Sequence, residues 1–274
     1  RPFVDQVPEQ VEKLMNVHNL QLVQLSSLSA KDCEKLVIRR LQLRLNSLPS
    51  ELLRILPQAQ GNPLYTQEMA FGLLECGAIS VSDDASALSI NQPLDHDIEL
   101  STTIHAVIRS RIDRLTATSQ MVLKIASAIG YTFDQKTLEA VFPIEGERKF
   151  IKNELGALER LGFISKVIHS STNTFTFCSL TILEVAYARL LFSQRIKLHQ
   201  DIAQWYEGKL SKDTRGHKAN ELYPLLAYHW AQVMEAQVPS PDPPIIVKVV
   251  EYICLATSVA SKNPRSFISV DWFN

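Results

Sequence analysis

The residues whose types could hold a metal ion are Asp83-Asp84 and Asp95-His96-Asp97. A protein metal site needs three or four such ligands brought together, and no further cluster follows at ligand spacing. The stretch Ser80 to Glu99, rich in Ser, Asp and Asn, therefore reads as a solvated loop, and no metal ligand is assigned. Serines, histidines and acidic residues are scattered without the elbow that would expose a nucleophile. A Gly-x-x-x-x-Gly-Lys-Ser/Thr run, which sets backbone N–H groups and a lysine around phosphates, does not occur. Nor does an apolar strand ending in the paired acidic residues that hold magnesium and a water. No residue is assigned a catalytic role.

One stretch is built for a fixed turn: Gly61-Asn62-Pro63-Leu64-Tyr65. Glycine takes backbone angles forbidden to other residues, and asparagine is a good N-cap. Proline suits the first helical position, where its missing N–H costs nothing. The helix it opens runs through Glu68, Met69 and Phe71 to Gly77, which is placed to stop it. Tyr65, Met69 and Leu73 share one face, widened by Phe71 and Leu74. Taken alone, this is a well-capped core helix.

The 274 residues are enough for two domains and a real core. Hydrophobic residues make up 46% and charged residues 21%, an ordinary globular composition. Lys+Arg 28 against Asp+Glu 29 leave a formal charge of -1, which gives no electrostatic reason to expect nucleic acid or an anionic membrane as partner. Cys33, Cys76, Cys178 and Cys254 lie far apart, fitting reduced thiols in a cytoplasmic protein better than a disulfide framework or a zinc site. No apolar run approaches a membrane span and no signal peptide opens the chain. An Arg1-Pro2 start without methionine suggests a fragment.

These residues must be positioned by a mostly helical chain. A helix is expected around Val11 to Met15, and Leu20 to Leu25 alternates like a half-buried strand. Ser29 and Asp32 make a capping-box-like start to a helix carrying Cys33, Leu36, Val37, Arg40 and Leu41. Pro49 and Pro57 bracket a short helix with Leu52, Leu53 and Leu56. From Thr102, Ile104, Val107, Ile108, Ile112 and Leu115 form an apolar stripe, with Arg109, Arg111, Asp113 and Arg114 read as lying off it. A second helix runs from Ser119 to Ile129 with Gly130 as its stop, and a third starts near Asp134. The fourth begins around Glu147, with Phe150, Ile151, Leu155, Leu158 and Leu161 inward and Gly162 at its end.

Phe163 to Ile168 and Thr174 to Phe177 then read as a hairpin, and helices followed by a two-stranded wing make a winged-helix domain. Such domains often read DNA through the last helix. Here Arg148, Lys149, Lys152 and Arg160 are cancelled by Glu145, Glu147, Glu154 and Glu159, so nucleic acid is not expected as a partner. Leu183 to Leu191, Gln194 to Leu210, Tyr223 to Met234 and Ile245 to Val259 follow as helices, the last two flanking a Pro-rich turn at Pro239 to Pro244. They have the texture of a helical-repeat array, with too few copies to set a period. The tail Asn263 to Asn274 has no periodicity.

In this order, Arg1-Pro2-Phe3, Leu20–Leu25, Ser29 and Gly61-Asn62-Pro63-Leu64 resemble the end of the nucleotide-binding module of STAND-class signalling ATPases. Arg111-Ile-Asp113-Arg114-Leu115, Val122 to Ala126 with Gly130, Glu184-Val-Ala-Tyr187, Arg195 and His199 continue the likeness. Within that class the chain is most similar, over about residues 1–235, to the ATPase region that follows the cyclase domains of soluble adenylyl cyclases. The resemblance implies an organisation: 1–30 the end of a nucleotide-binding α/β domain, 31–100 a helical lid, 101–178 a winged-helix domain, 179–261 TPR-like helical hairpins, and 262–274 a tail.

The resemblance also implies roles. Arg1 would stand near the γ-phosphate, at the end of the sensor strand. Gly61, Asn62 and Pro63 would pack against adenine, and the winged-helix domain would close over the nucleotide and report to the helical repeats. Ser179 occupies the place where many relatives carry a phosphate-reaching histidine in a Phe-x-His-x-Leu context; Phe177 conforms, but a serine cannot carry the imidazolium charge. ATP and magnesium are implied only for a complete parent, which would supply the upstream domain that these residues contact. The chain itself, without a phosphate loop or cyclase site, is expected neither to hydrolyse ATP nor to make cyclic AMP. Two other readings stay open: a non-enzymatic winged-helix adaptor binding protein partners through its helical C-terminus, and part of an ATPase-type transcriptional regulator with a basic domain beyond this segment.

Overall fold

The computed structural model describes residues 25–92, 103–168, 172–212, 219–237 and 240–262. Among them the chain is mostly helical, with eleven α-helices and two small antiparallel sheets. It divides into two compact units, one of Arg1–Ala70 and Gly77–Ile98, the other of Phe71–Cys76 and Glu99–Asn274. Arg1, the helix expected at Val11 to Met15, nearly all of the strand expected at Leu20 to Leu25, Asp95-His96-Asp97 and the tail lie outside the described residues.

In the first unit, Ser29 caps α1 (Ala30–Arg40), its Oγ accepting from the Asp32 N–H. Glu34 of α1 reaches along the chain to Ser47 Oγ (2.7 Å) and the Leu48 N–H (2.9 Å), which fixes the entry to α2 (Ser50–Ile55). A 3-10 turn, Leu56–Ala59, leads to α3 (Pro63–Glu75). Cys33, Val37, Leu52, Ile55, Leu56 and Met69 are buried in this unit. Its sheet is a correction to the sequence reading. Within Ser80–Glu99, expected to be loop, β1 (Ile79–Val81) pairs with β2 (Leu88–Ile90). Asp84 closes the hairpin turn by accepting from Ser82 Oγ, Ser86 Oγ and the Ser86 N–H. Those hydrogen bonds, Ser86 Oγ foremost, hold its carboxyl down to about 2. Asp84 shapes a turn, which is the use aspartate most often has there.

The second unit is organised by α4 (Ile104–Asp113), α5 (Ala117–Ile129), α6 (Gln135–Val141) and α7 (Ile151–Arg160) around one core. Its sheet holds three strands in the order β3 (Thr132–Asp134), β5 (Thr174–Phe177), β4 (Ile164–Lys166), all antiparallel. The hairpin was expected with two strands; β3 is the third, registering Phe133 with Phe175. Phe150, expected inward, is exposed, because Glu145–Phe150 is a 3-10 turn and α7 starts only at Ile151. Three residues per turn instead of 3.6 moves the ring off the buried face. Arg148, expected as a solvated charge, donates to the Phe142 and Ala140 carbonyls and so caps the C-terminal end of α6. Then come α8 (Leu180–Ala188), α9 (Phe192–Ser211), α10 (Ala219–Glu235) and α11 (Pro243–Lys262). Helices α9, α10 and α11 pack in sequence order. Glu207 ties them, accepting from Trp230 Nε1 (3.0 Å), Lys248 Nζ (3.0 Å) and Tyr252 Oη (3.1 Å).

Candidate functional site

The Gly61 turn is fixed at each position. Gly61 has φ 71°, and a Cβ there would lie 2.6 Å from the Leu28 carbonyl oxygen and 2.9 Å from its nitrogen. The approach is that close because the Leu28 N–H donates to the Gly61 carbonyl at 2.9 Å. Asn62 caps α3 as its type suggests, its Oδ1 accepting from the Tyr65 N–H at 3.1 Å, and its carbonyl accepts both the Thr66 N–H and Thr66 Oγ1. Pro63 is the first helical residue. Tyr65, Thr66 and Met69 are buried behind the turn, whereas Asn62 and Pro63 are exposed. The arrangement presents a rigid proline ring and an amide at a helix start, suited to stacking and hydrogen bonding.

Ser179 belongs to the second unit, the Gly61 turn to the first. Its Oγ accepts from the Ile182 N–H at 3.1 Å and caps α8. That local role accounts for a serine at this position.

The most constrained polar residue is one the sequence reading placed wrongly. Arg111 is fully buried rather than off the apolar stripe. Its Nε and Nη2 donate to Glu75 Oε1 at 3.0 and 2.7 Å, and Nη2 also donates to the Leu161 carbonyl at 2.5 Å. Its guanidinium lies 4.7 Å from the Phe71 ring centre and 4.4 Å from that of Phe163. All five residues are in the second unit, so Arg111 joins the last turn of α3 to the end of α7 and the approach to β4. The signal was present: Val107, Ile108, Arg111, Ile112 and Leu115 follow helical core spacing, and the residue's charge obscured it.

A second polar group runs through α8, α9 and α10. Tyr187 Oη and His199 Nε2 are 2.9 Å apart, and His199 Nδ1 lies 2.8 Å from His229 Nδ1. Burial pushes His199 down to about 4, with Arg195 adding to the effect, and holds His229 well below the ordinary histidine range. In both, burial favours the neutral imidazole. Their residues are 30 apart in sequence, and no local spacing marks the pair.

Among the described residues no group of three histidines, cysteines, aspartates or glutamates could hold a metal ion, and the four cysteines are free thiols. No described helix is long and apolar enough to cross a membrane. Comparison with known protein families and with curated proteins finds no match.

Proposed function

We propose that the chain is a regulatory, nucleotide-sensing segment of a STAND-class ATPase of the soluble adenylyl cyclase kind, lacking the phosphate loop and cyclase domains of its parent. The observation that carries this reading is the Gly61 turn. Packing explains Gly61, the cap explains Asn62 and the first helical position suits Pro63, and together they leave the proline ring exposed and held rigid at the helix start. A flat, pre-organised apolar face is what adenine stacking uses, at little cost in conformational entropy. In this reading 101–178 is a winged-helix domain; the order α4, α5, β3, α6, α7, β4, β5 and the pairing of β3 with the hairpin support it. The domain acts as an intramolecular contact surface toward the upstream nucleotide-binding domain.

The test is a pair of calorimetric titrations. At the Gly61 turn the isolated chain, with one wall of a site and no phosphate cradle beside it, binds ATP with magnesium weakly or not at all. The same chain joined to an upstream phosphate-loop module of its parent binds in the micromolar range. Micromolar, magnesium-dependent ATP binding by the isolated chain that Pro63→Ala weakens overturns the reading.

One observation favours a partner-binding role for the helical C-terminus as well. On α11, Ile246, Val247, Val250 and Ile253 are exposed at helical spacing, an apolar stripe that a further TPR-like helix or a partner helix would cover.

A further inference from the structure

On the second unit, α4, α5 and α8 line a half-open groove of about 500 Å³, a size within the range of small-molecule sites. His105 and Arg109 of α4, Lys124 of α5, and Glu184 and Arg189 at α8 line it. Arg189 is held in place by Asp113, to which both of its Nη atoms donate. Arg109 and Lys124 make no hydrogen bond or ion pair among the described residues, and neither does Glu184. Three cations therefore line one groove, Arg189 paired with Asp113 and the other two uncommitted, with the Glu184 carboxylate beside them. The three helices meet in the same core, which fixes the backbone positions from which these side chains reach the groove.

We propose that this groove binds a small molecule carrying a diphosphate or longer phosphate chain. Charge separated over two adjacent phosphates can be met by Arg109 and Lys124 together, and a concave wall focuses the field of the cations more than a flat surface does. Glu184 works against the ligand's charge and limits the affinity. The groove lies wholly within the second unit and does not rest on the nucleotide reading of Gly61-Asn62-Pro63. Nucleic acid is the competing occupant, but it needs a basic track longer than three side chains to gain from counterion release.

The test is titration of the full chain with inorganic pyrophosphate, followed by calorimetry at low salt without magnesium. Saturable one-to-one binding is expected, weakened several-fold when salt rises from about 20 to about 200 mM. Arg109→Ala and Lys124→Ala should each weaken it about tenfold, the loss of one charge-assisted contact. Glu184→Gln should tighten it several-fold, a direction that general damage to the fold does not produce. Lys136→Ala, an exposed cation elsewhere on the unit, should leave it unchanged. ADP should compete with pyrophosphate for the same groove. No saturable binding, equal weakening by Lys136→Ala, or preference for a DNA duplex over pyrophosphate overturns the proposal. Unchanged melting temperatures confirm that each variant is folded.

Discussion

His199 and His229 meet Nδ1 to Nδ1 at 2.8 Å in the interior of the second unit, a contact that can hold one proton and not two. Around them stand Tyr187 of α8, Arg195 and Tyr206 of α9, and Tyr228 and Glu235 of α10. Burial raises all three phenols, Tyr228 up to about 12, so they stay neutral, and Arg195 further opposes a charged imidazole. Both histidines have folded values below the 6.5 of the free side chain, so the unfolded chain binds protons first as pH falls. Stability is therefore full above pH 6.5 and declines between there and about 4 for His199, by about 1.4 kcal/mol per pH unit for each histidine. Urea unfolding at pH 7.5, 6.0 and 5.0 checks this. Equal midpoints at 7.5 and 5.0 contradict it.

Arg111 has no solvent to fall back on. Arg111→Ala strands the Glu75 carboxylate and the Leu161 carbonyl, and is expected to destabilise the second unit by about 3–5 kcal/mol. Replacing Arg111 and Glu75 together by Met and Leu removes both charges, so the pair should lose much less than the sum of the single changes. Denaturant unfolding of the four proteins measures the coupling. Additive losses would mean that the ion pair carries no coupling.

Gly61→Ala puts a methyl group against backbone at a positive φ and is expected to cost more than 1 kcal/mol, with the first unit losing stability. Gly146→Ala, where a Cβ meets nothing within 4 Å, serves as the control and changes stability little. Thermal melts of the two variants compare them directly.

The surface of α7 decides between a regulator and a DNA reader. Leu155 is buried, and Leu155→Ala should cost about 2–5 kcal/mol. Lys149→Glu with Lys152→Glu, both exposed, should change stability by no more than about 1 kcal/mol per charge. Arg148→Glu should cost more than either, because it also frees the carbonyls at the end of α6. Fluorescence anisotropy at low salt is expected to show no submicromolar duplex binding; finding it would overturn the regulatory reading.

What the sequence made legible was local. Ser29, the Asn62-Pro63 helix start, and the stops at Gly77, Gly130 and Gly162 each act within a few residues, and the structure has them in those roles. The apolar periods of α4, α5 and α7 were readable for the same reason. The three-residue strands were not. Thr132–Asp134 is too short to show alternation, and its partner strand, Thr174–Phe177, lies far along the chain. Ile79–Val81 and Leu88–Ile90 were hidden by the polar turn between them. In the candidate site, Ser179 could be located as a serine but not as the cap of α8, and the partners of Arg111 and His199 were set only by tertiary packing.

On the proposed reading, the most direct measurement uses the complete parent protein with Pro63→Ala. The substitution keeps the helix start, since the N–H it restores belongs to the first turn and can be solvated, so the nucleotide-free melting temperature should barely move. Nucleotide affinity, followed by calorimetry, should fall by clearly more than stability does. An unchanged affinity, or a loss no larger than the loss of nucleotide-free stability, would make the turn a structural cap alone and contradict the account.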